Sequence, residues 1–323
     1  MDDFFRRPNY NDRLSSYRQD VESILVRDSD VNLRPIVSIM IPTYRRPDLL
    51  RESVASALAQ TTAIPFEVVV IDNDGEQTMV EQVDEVLSSF DALNLKVFRN
   101  TDNIGLYENW NRCIELACGS WLTILNDDDL LDQTFIDEAY KVASFDESIS
   151  LVGCEAKVLY ELQDHIAPVT FNKKLKFYLK RLFGMLDKRK AYRLSVENYF
   201  LSYPHHGSLG ILMKREVAQE LGGYFPKIYP ISDYDFLVRF VLSNNVYFLP
   251  KELATYRIAV NVSIKTDFCY DGIHNELLLR KAMIPHLNIN ATISRYYADL
   301  AAVRSVSVFR KSWHSNLDVE KIL

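Results

Sequence analysis

The chain has 323 residues, of which 48% are hydrophobic, and a formal net charge of -7. This is enough apolar material for one large domain or two small ones, and the acidic balance argues against a general nucleic-acid binder, which carries a basic excess. The longest apolar runs, residues 68–71 and 121–125, fall far short of the roughly 20 residues needed to cross a bilayer as a helix. At the start, Asp2, Asp3, Arg6 and Arg7 surround only two Phe, without the apolar core of a cleavable signal, so a cytoplasmic location is expected. Cys113, Cys118, Cys154 and Cys269 lack paired spacing. In a reducing compartment all four are expected to be packing thiols, neither zinc ligands nor disulfides.

Residues 1–34 are polar and charged and predict a peripheral extension with one helix over Leu14–Leu25. From Pro35 onward, short β-branched runs alternate with stretches of helical period, the pattern of parallel strands joined by crossover helices. The run Ile36–Ile41 predicts a first buried strand, followed by a helix whose apolar face is Leu50, Val54, Ala57 and Leu58. A second strand, Glu67–Ile71, ends in Asp72-Asn73-Asp74-Gly75, turn formers that place polar side chains at a strand's carboxyl end. A helix through Val80, Val83 and Leu87 leads to a third strand, Leu95–Phe98. The next helix uses Leu106, Trp110, Cys113, Ile114 and Ala117, and the fourth strand, Trp121–Leu125, runs directly into Asn126-Asp127-Asp128-Asp129. Ligands of open α/β sheets sit outside the carboxyl ends of the strands, so Thr43, Asp72 and the aspartate cluster are expected to converge on one crevice. Beyond residue 150 the alternation weakens, as expected for an added acceptor-side region, and the last 50 residues look helical.

Three consecutive carboxylates repel one another unless a cation is supplied or they point apart. A few hard oxygen ligands with open positions suit magnesium or manganese bridging a diphosphate. An aspartate-rich turn capping a helix near Gln133 explains the same spacing. The position at a strand end opposite Asp72 favours the metal and nucleotide reading. Neither GxxxxGK[ST] nor GxGxxG occurs, and the turn Pro42–Pro47 has no glycine to grip a triphosphate, which disfavours kinases, dehydrogenases and nucleotidyltransferases.

The segments Val37-Ser-Ile-Met-Ile-Pro-Thr-Tyr-Arg45, Asp72-Asn73, Asn103-Ile-Gly105 and Leu125-Asn-Asp-Asp-Asp129 resemble the family 2 glycosyltransferases of GT-A fold, over residues 35–263. The resemblance implies a mostly parallel nucleotide-binding sheet flanked by helices, with acceptor-side and helical C-terminal additions. It divides the chain into an extension (1–34), a catalytic domain (35–263, with halves 35–150 and 151–263) and a helical region (264–323). It further implies base and ribose contacts from Pro42, Thr43, Tyr44, Arg45, Asp72 and Asn73, with Asn103 and Gly105 beside them. Asp127 is then near the ribose, Asp128 on a divalent metal (Mn2+ or Mg2+), and Asp129 at the metal site or donor sugar. Two departures stand out: Asn126 replaces a common Asp, and Asn109-Trp110-Asn111 replaces a common Ala-Arg-Asn.

Attack by a sugar hydroxyl at an anomeric carbon needs a carboxylate or His within hydrogen-bond reach. The motif Ile231-Ser-Asp-Tyr-Asp-Phe-Leu-Val-Arg239, preceded by Gly222-Gly223-Tyr224-Phe225, is similar to the family's base signature, with Ser232 in place of a usual Glu. By that match Asp233 is the base and Asp235 the second candidate; without it, both carboxylates are helix-capping residues. Tyr256-Arg257-Ile258-Ala259 resembles a segment that often ends in His. That leaves Arg257 or Lys265 to neutralise the diphosphate, or to be surface charges beside a strand. His205 and His206 are expected as acceptor contacts or as surface and hydrogen-bonding residues. Trp121 belongs to a buried strand, and Trp110 either packs or lines the donor pocket.

The window Lys173–Arg193 holds nine basic residues and one acid, hence +8 against -15 for the rest. Leu175, Tyr178, Leu179, Leu182, Phe183 and Leu186 recur at helical spacing, so segment 171–193 predicts a basic amphipathic helix, folded onto the domain or lying on the inner face of an anionic membrane. The resemblance as a whole implies inverting transfer of a sugar from a nucleotide diphosphate donor, UDP ahead of dTDP, to a glycan hydroxyl. The acceptor could be polyprenyl diphosphate-linked, as in bacterial surface polysaccharide synthesis. A non-catalytic nucleotide-sugar binding or scaffold protein of the same fold is the competing reading.

Overall fold

The computed structural model describes residues 5, 21–28, 34–74, 79–160, 190–258 and 266–313. Its centre is a ten-stranded sheet, entered at the edge by β1 (Ser23–Arg27). Next in the chain come β2 (Val37–Thr43), α1 (Pro47–Leu58), β3 (Phe66–Asp72), α2 (Val80–Ser88), β4 (Leu95–Asn100), α3 (Leu106–Leu116) and β5 (Trp121–Ile124). Strands β4, β3, β2 and β5 lie side by side and parallel, so their carboxyl ends share one edge. Every residue of β2 is buried, because helices cover both faces. Val37, Ile39 and Ile41 pack with Leu50 and Val54 of α1, while Met40, on the opposite pleat, joins Trp110, Cys113 and Ile114 of α3. The polar exception, Ser38, donates to Glu67 at 2.6 Å and accepts from the Gly119 backbone at 2.8 Å.

The sheet continues across residue 150 and changes character there. After β6 (Leu130–Leu131) and α4 (Phe135–Ala143) come β7 (Ile149–Tyr160), β8 (Tyr192–Leu194), α5 (Val196–Leu201), β9 (Ile211–Lys214) and α6 (Arg215–Glu220). They are followed by α7 (Ser232–Ser243), β10 (Asn245–Ile258), α8 (Thr266–Met283) and α9 (Ala291–Trp313). Strand β9 inserts antiparallel between β5 and β7, and β10 runs parallel to β7 from Asn245 opposite Ile149 to Ile258 opposite Tyr160. The antiparallel pairing of β6 with β10 at Ala254–Leu131 brings the Asp loop against β10.

The expected helix over Leu14–Leu25 is corrected at its end: Ser23–Arg27 is a strand, antiparallel to β4. Arg27 and Arg112 hold it down, through the carbonyls of Leu87, Phe90 and Ala92 and that of Val21. Tertiary hydrogen bonds thus override a weak local helical pattern. Cys113 and Cys154 are buried as expected, whereas Cys118 is exposed, because it lies in the turn entering β5. Residues 161–189, which hold most of the basic segment, lie outside the described residues, as do Gly75, Ala259 and Lys265. Among the described residues no helix is long and apolar enough to cross a membrane.

Candidate active site

A cavity of about 490 Å³ opens at the carboxyl ends of the parallel strands. Pro42, Thr43 and Tyr44 enter it from the end of β2, and Asn73 from the end of β3. Asn103, Gly105, Leu106, Asn109 and Trp110 enter from the start of α3, and Asn126, Asp127 and Asp128 from the turn after β5. Gly105 begins α3 at φ +80°, a backbone conformation that favours glycine, and a Cβ there would meet nothing within 4 Å.

A run of asparagines fixes this wall. Asn100 donates to Asn73 at 2.8 Å and to Asn109 at 3.0 Å, Asn73 donates to Asn103 at 2.9 Å, and the Ile104 N–H reaches Asn73 Oδ1 at 3.1 Å. Asn109 in turn donates to the Ile71 carbonyl at 3.3 Å. The strand ends and α3 are therefore one hydrogen-bonded unit. Asn100 and Asn109 carry little sequence signal beyond being polar residues at a strand end and on an otherwise buried helix face.

The aspartates after β5 differ in their partners. Asp127 accepts from the Thr43 hydroxyl at 2.8 Å and the Tyr44 N–H at 3.3 Å. Burial pushes its carboxyl up to about 6, opposed by the Arg46 charge and reinforced by Asp128. Asp129 is fully buried, accepting from the Arg257 N–H at 3.0 Å and from Asn126 at 3.1 Å. Burial, then the neighbouring Asp128, raises it to about 7. Asp128 is gripped by Arg46 at 2.9 Å, and the same guanidinium nitrogen lies 3.5 Å from Asp127. Asp127, whose charge is costly, and Asp128, bridged to it by one cation, form a place where positive charge is stabilised.

Three of the expected nucleotide contacts are placed elsewhere. Asp72 is completely buried, its oxygens taken by Arg99 at 2.9 Å and the Asp74 N–H at 3.1 Å. Arg45, at φ +57°, turns onto Asp74 at 2.8 Å and over the Tyr44 ring. Arg257 is also buried, bonded to the Asp128 carbonyl at 3.0 Å and to Glu52 at 2.5 Å, so it braces the Asp loop and is no surface charge. The cavity wall includes residues the sequence did not single out, Arg46, next to the recognised Pro-Thr-Tyr-Arg, and Tyr229 in an irregular loop, together with Tyr256 of the recognised Tyr-Arg segment on β10.

Asp233 sits in the first turn of α7, half-buried, with the Tyr203 hydroxyl donating to Oδ2 at 3.3 Å. Its surroundings push the carboxyl up to about 6, burial outweighing the bonds from the Tyr234 backbone and Tyr203. A Cβ on Gly207, which has φ +62°, would approach Oδ2 to 3.3 Å, so glycine keeps the carboxylate's approach open. The Tyr256 phenol is raised first by burial, then by the charges of Asp129, Asp128 and Asp233, and its ring lines the cavity with Asp127 and Asp128.

Asp235 is fully buried in an ion pair with Arg239 at 2.9 Å. Arg239 also donates to the carbonyls of Leu221 and, at 2.6 Å, Gly223, tying the Gly222-Gly223-Tyr224 turn to α7. Asn111 clamps the same turn through the Tyr224 N–H and carbonyl, and Ser232 accepts from the Phe225 N–H at 2.6 Å. Arg239→Lys keeps the charge and loses the fork, so it should lower unfolding free energy by about 1–3 kcal/mol in denaturant titration; an unchanged midpoint would show that the fork is dispensable. Of the readings for His205 the hydrogen-bonding one fits: it is buried, bonded to the Tyr199 hydroxyl at 2.7 Å, and lowered by burial to about 3. His206 is exposed and stacks on Tyr256 at 5.8 Å.

Residues 38–194 match the family model described as "Glycosyl transferase family 2". An uncharacterized glycosyltransferase of Haemophilus influenzae is 23% identical over 276 residues, covering 85% of this chain and 79% of the relative. The crystal structure of Staphylococcus aureus TarS 1–349 with UDP superposes with TM-score 0.59 at 17% identity, over 88% of this chain and 76% of that one. The mannosyltransferase PcManGT of Pyrobaculum calidifontis, solved with GDP-Man and Mn2+, gives TM-score 0.58 at 16% identity, over 97% and 84%. With its parallel strand ends and its aspartate turn, the chain has the GT-A fold and matches glycosyltransferase family 2 over residues 38–194.

Proposed function

We propose that this protein is an inverting, metal-dependent transferase that moves a sugar from a nucleotide diphosphate donor, UDP before dTDP, to a hydroxyl of a glycan acceptor. The observation that carries the reading is the cavity in which Thr43, Asn73, Asn103 and Gly105 meet Asp127 and Asp128, with Tyr256 on its wall stacked on His206, next to the Gly207 that abuts Asp233. Complexes of TarS with UDP and of PcManGT with GDP-Man and Mn2+ support a nucleotide-sugar site of this kind.

Tyr44 offers an exposed ring edge for the base, and Asp127, fixed by Thr43, faces the ribose. Among the described residues no three His, Cys, Asp or Glu side chains gather into a metal cage. A site with one protein carboxylate and the remaining positions left to phosphate oxygens and water fits magnesium or manganese. The cation that Arg46 mimics between Asp127 and Asp128 would bind on Asp128, while Asp129, held by Asn126 and Arg257, shapes the turn and supports the site. When bound, such an ion supplies charge stabilisation to the departing diphosphate.

Asp233 is the general base. Its carboxylate accepts the acceptor hydroxyl proton as the oxygen attacks the anomeric carbon from the face opposite the leaving diphosphate, which inverts configuration. Tyr203 orients that carboxylate. Titration calorimetry with UDP, dTDP, GDP and ADP, each with and without manganese, tests the reading. Selective binding of one pyrimidine diphosphate that strengthens with metal is expected, and absence of binding by all four would remove the donor site.

A further inference from the structure

Among the described residues the indole N–H of Trp110 is a buried donor without a hydrogen-bond partner, in a residue that is 6% exposed and borders the cavity. Its neighbours on α3 are satisfied, Asn109 through Ile71 and Asn100, and Asn111 through Tyr224. Leaving one donor unmade in so connected a wall costs about 1–3 kcal/mol unless a ligand completes it. The ring packs edge-on against Tyr107 at 5.3 Å and Tyr224 at 4.9 Å. The Tyr224 hydroxyl bonds Ser208 at 2.9 Å, and the adjacent Gly207 has its Cβ position 3.3 Å from Asp233 Oδ2, so the Tyr224 ring connects Trp110 to the base side of the site.

Resting on the proposed function, chemistry fixes what occupies that side. The anomeric carbon must lie between the diphosphate, held at the Asp127–Asp128 turn, and the hydroxyl that Asp233 deprotonates. The transferred sugar therefore passes Trp110. We infer that the Trp110 N–H hydrogen-bonds an oxygen of the transferred sugar, and that this sugar is uncharged. Leu106, Tyr229 and Tyr256 line the cavity with Trp110, surfaces that suit the C–H faces and hydroxyls of a neutral ring. Among the described residues the cation lining the cavity is Arg46, which with a metal on Asp128 stays beside Asp127 at the diphosphate end. A sugar carboxylate here would lose its water without gaining a counter-charge.

The test uses the whole chain with manganese and the pyrimidine diphosphate it binds, compared with that nucleotide's glucose, galactose, N-acetylglucosamine and glucuronic acid conjugates. A neutral conjugate is expected to bind more tightly than the bare nucleotide, and Trp110→Phe, which keeps the ring packing, should reduce its affinity by about tenfold and leave the nucleotide's unchanged. Indole N–H exchange in the parent protein gives a readout that does not depend on the variant folding. The chain has three tryptophans, and Trp121→Phe and Trp313→Phe assign the Trp110 signal by elimination. Its exchange should slow by about tenfold with the neutral conjugate relative to the nucleotide alone. Equal exchange with nucleotide and conjugates, or preference for the glucuronic acid donor, overturns the inference while leaving the transferase reading standing. Failure of every nucleotide to bind overturns the reading beneath it.

Discussion

Asp233→Asn should lower turnover by about 10²–10⁴ while nucleotide binding remains within about twofold, because the substitution removes the proton acceptor and keeps the shape. The carboxyl is raised to about 6, so in the parent enzyme kcat/KM should fall as pH drops below that value and level off above it. The variant should lose that acidic limb. Stability moves the other way. A carboxyl raised from 3.8 to about 6 in the folded state contributes its stabilisation fully below about pH 4 and loses it as pH rises through 6. The neutral Asn has no such loss, so the variant should unfold at a higher temperature than the parent at pH 8. Steady-state kinetics, calorimetry and a melting series measure the three effects. Full turnover in Asp233→Asn would remove the base assignment.

Asp128→Ala should abolish the manganese-dependent part of nucleotide binding and lower turnover by at least about a hundredfold, equivalent to roughly 3 kcal/mol of lost charge stabilisation. Arg46 is the internal control. It contacts both Asp127 and Asp128, so in the variant it remains beside Asp127 and partly substitutes for the missing positive charge. Binding of UDP without metal should therefore change little in Asp128→Ala. If manganese still strengthens UDP binding in this variant to the parental extent, Asp128 is not its ligand.

The sequence alone determined the parallel half of the molecule. Runs such as Val68–Ile71 and Trp121–Ile124 must be buried on both faces, and their lengths and the helical periods between them leave little besides parallel strands with crossovers. Because strand ends in such a sheet share one edge, the sequence predicts that Thr43, Asp72 and the aspartate cluster converge on one crevice; Thr43 and Asp127 line it, with Asn73 in place of the buried Asp72. Asp233 and Arg239 were recognisable as a motif, but their different duties were not. Burial assigns Asp235 to Arg239 and leaves Asp233 beside Tyr203.

Only the tertiary structure decided where long-range partners intervene. Asp72 is consumed by Arg99, 27 residues away, and Arg257 braces Asp129 across 128 residues. A carboxylate at a strand end has the same local sequence signature whether it faces a ligand or an arginine. Likewise β9 enters antiparallel between β5 and β7, and β1 replaces the end of an expected helix, since strand pairing depends on an exposed partner edge elsewhere in the chain. The orphaned Trp110 N–H belongs to the same class of fact. Local periodicity places its ring in a helix, and only the assembled wall shows that no neighbour takes the proton.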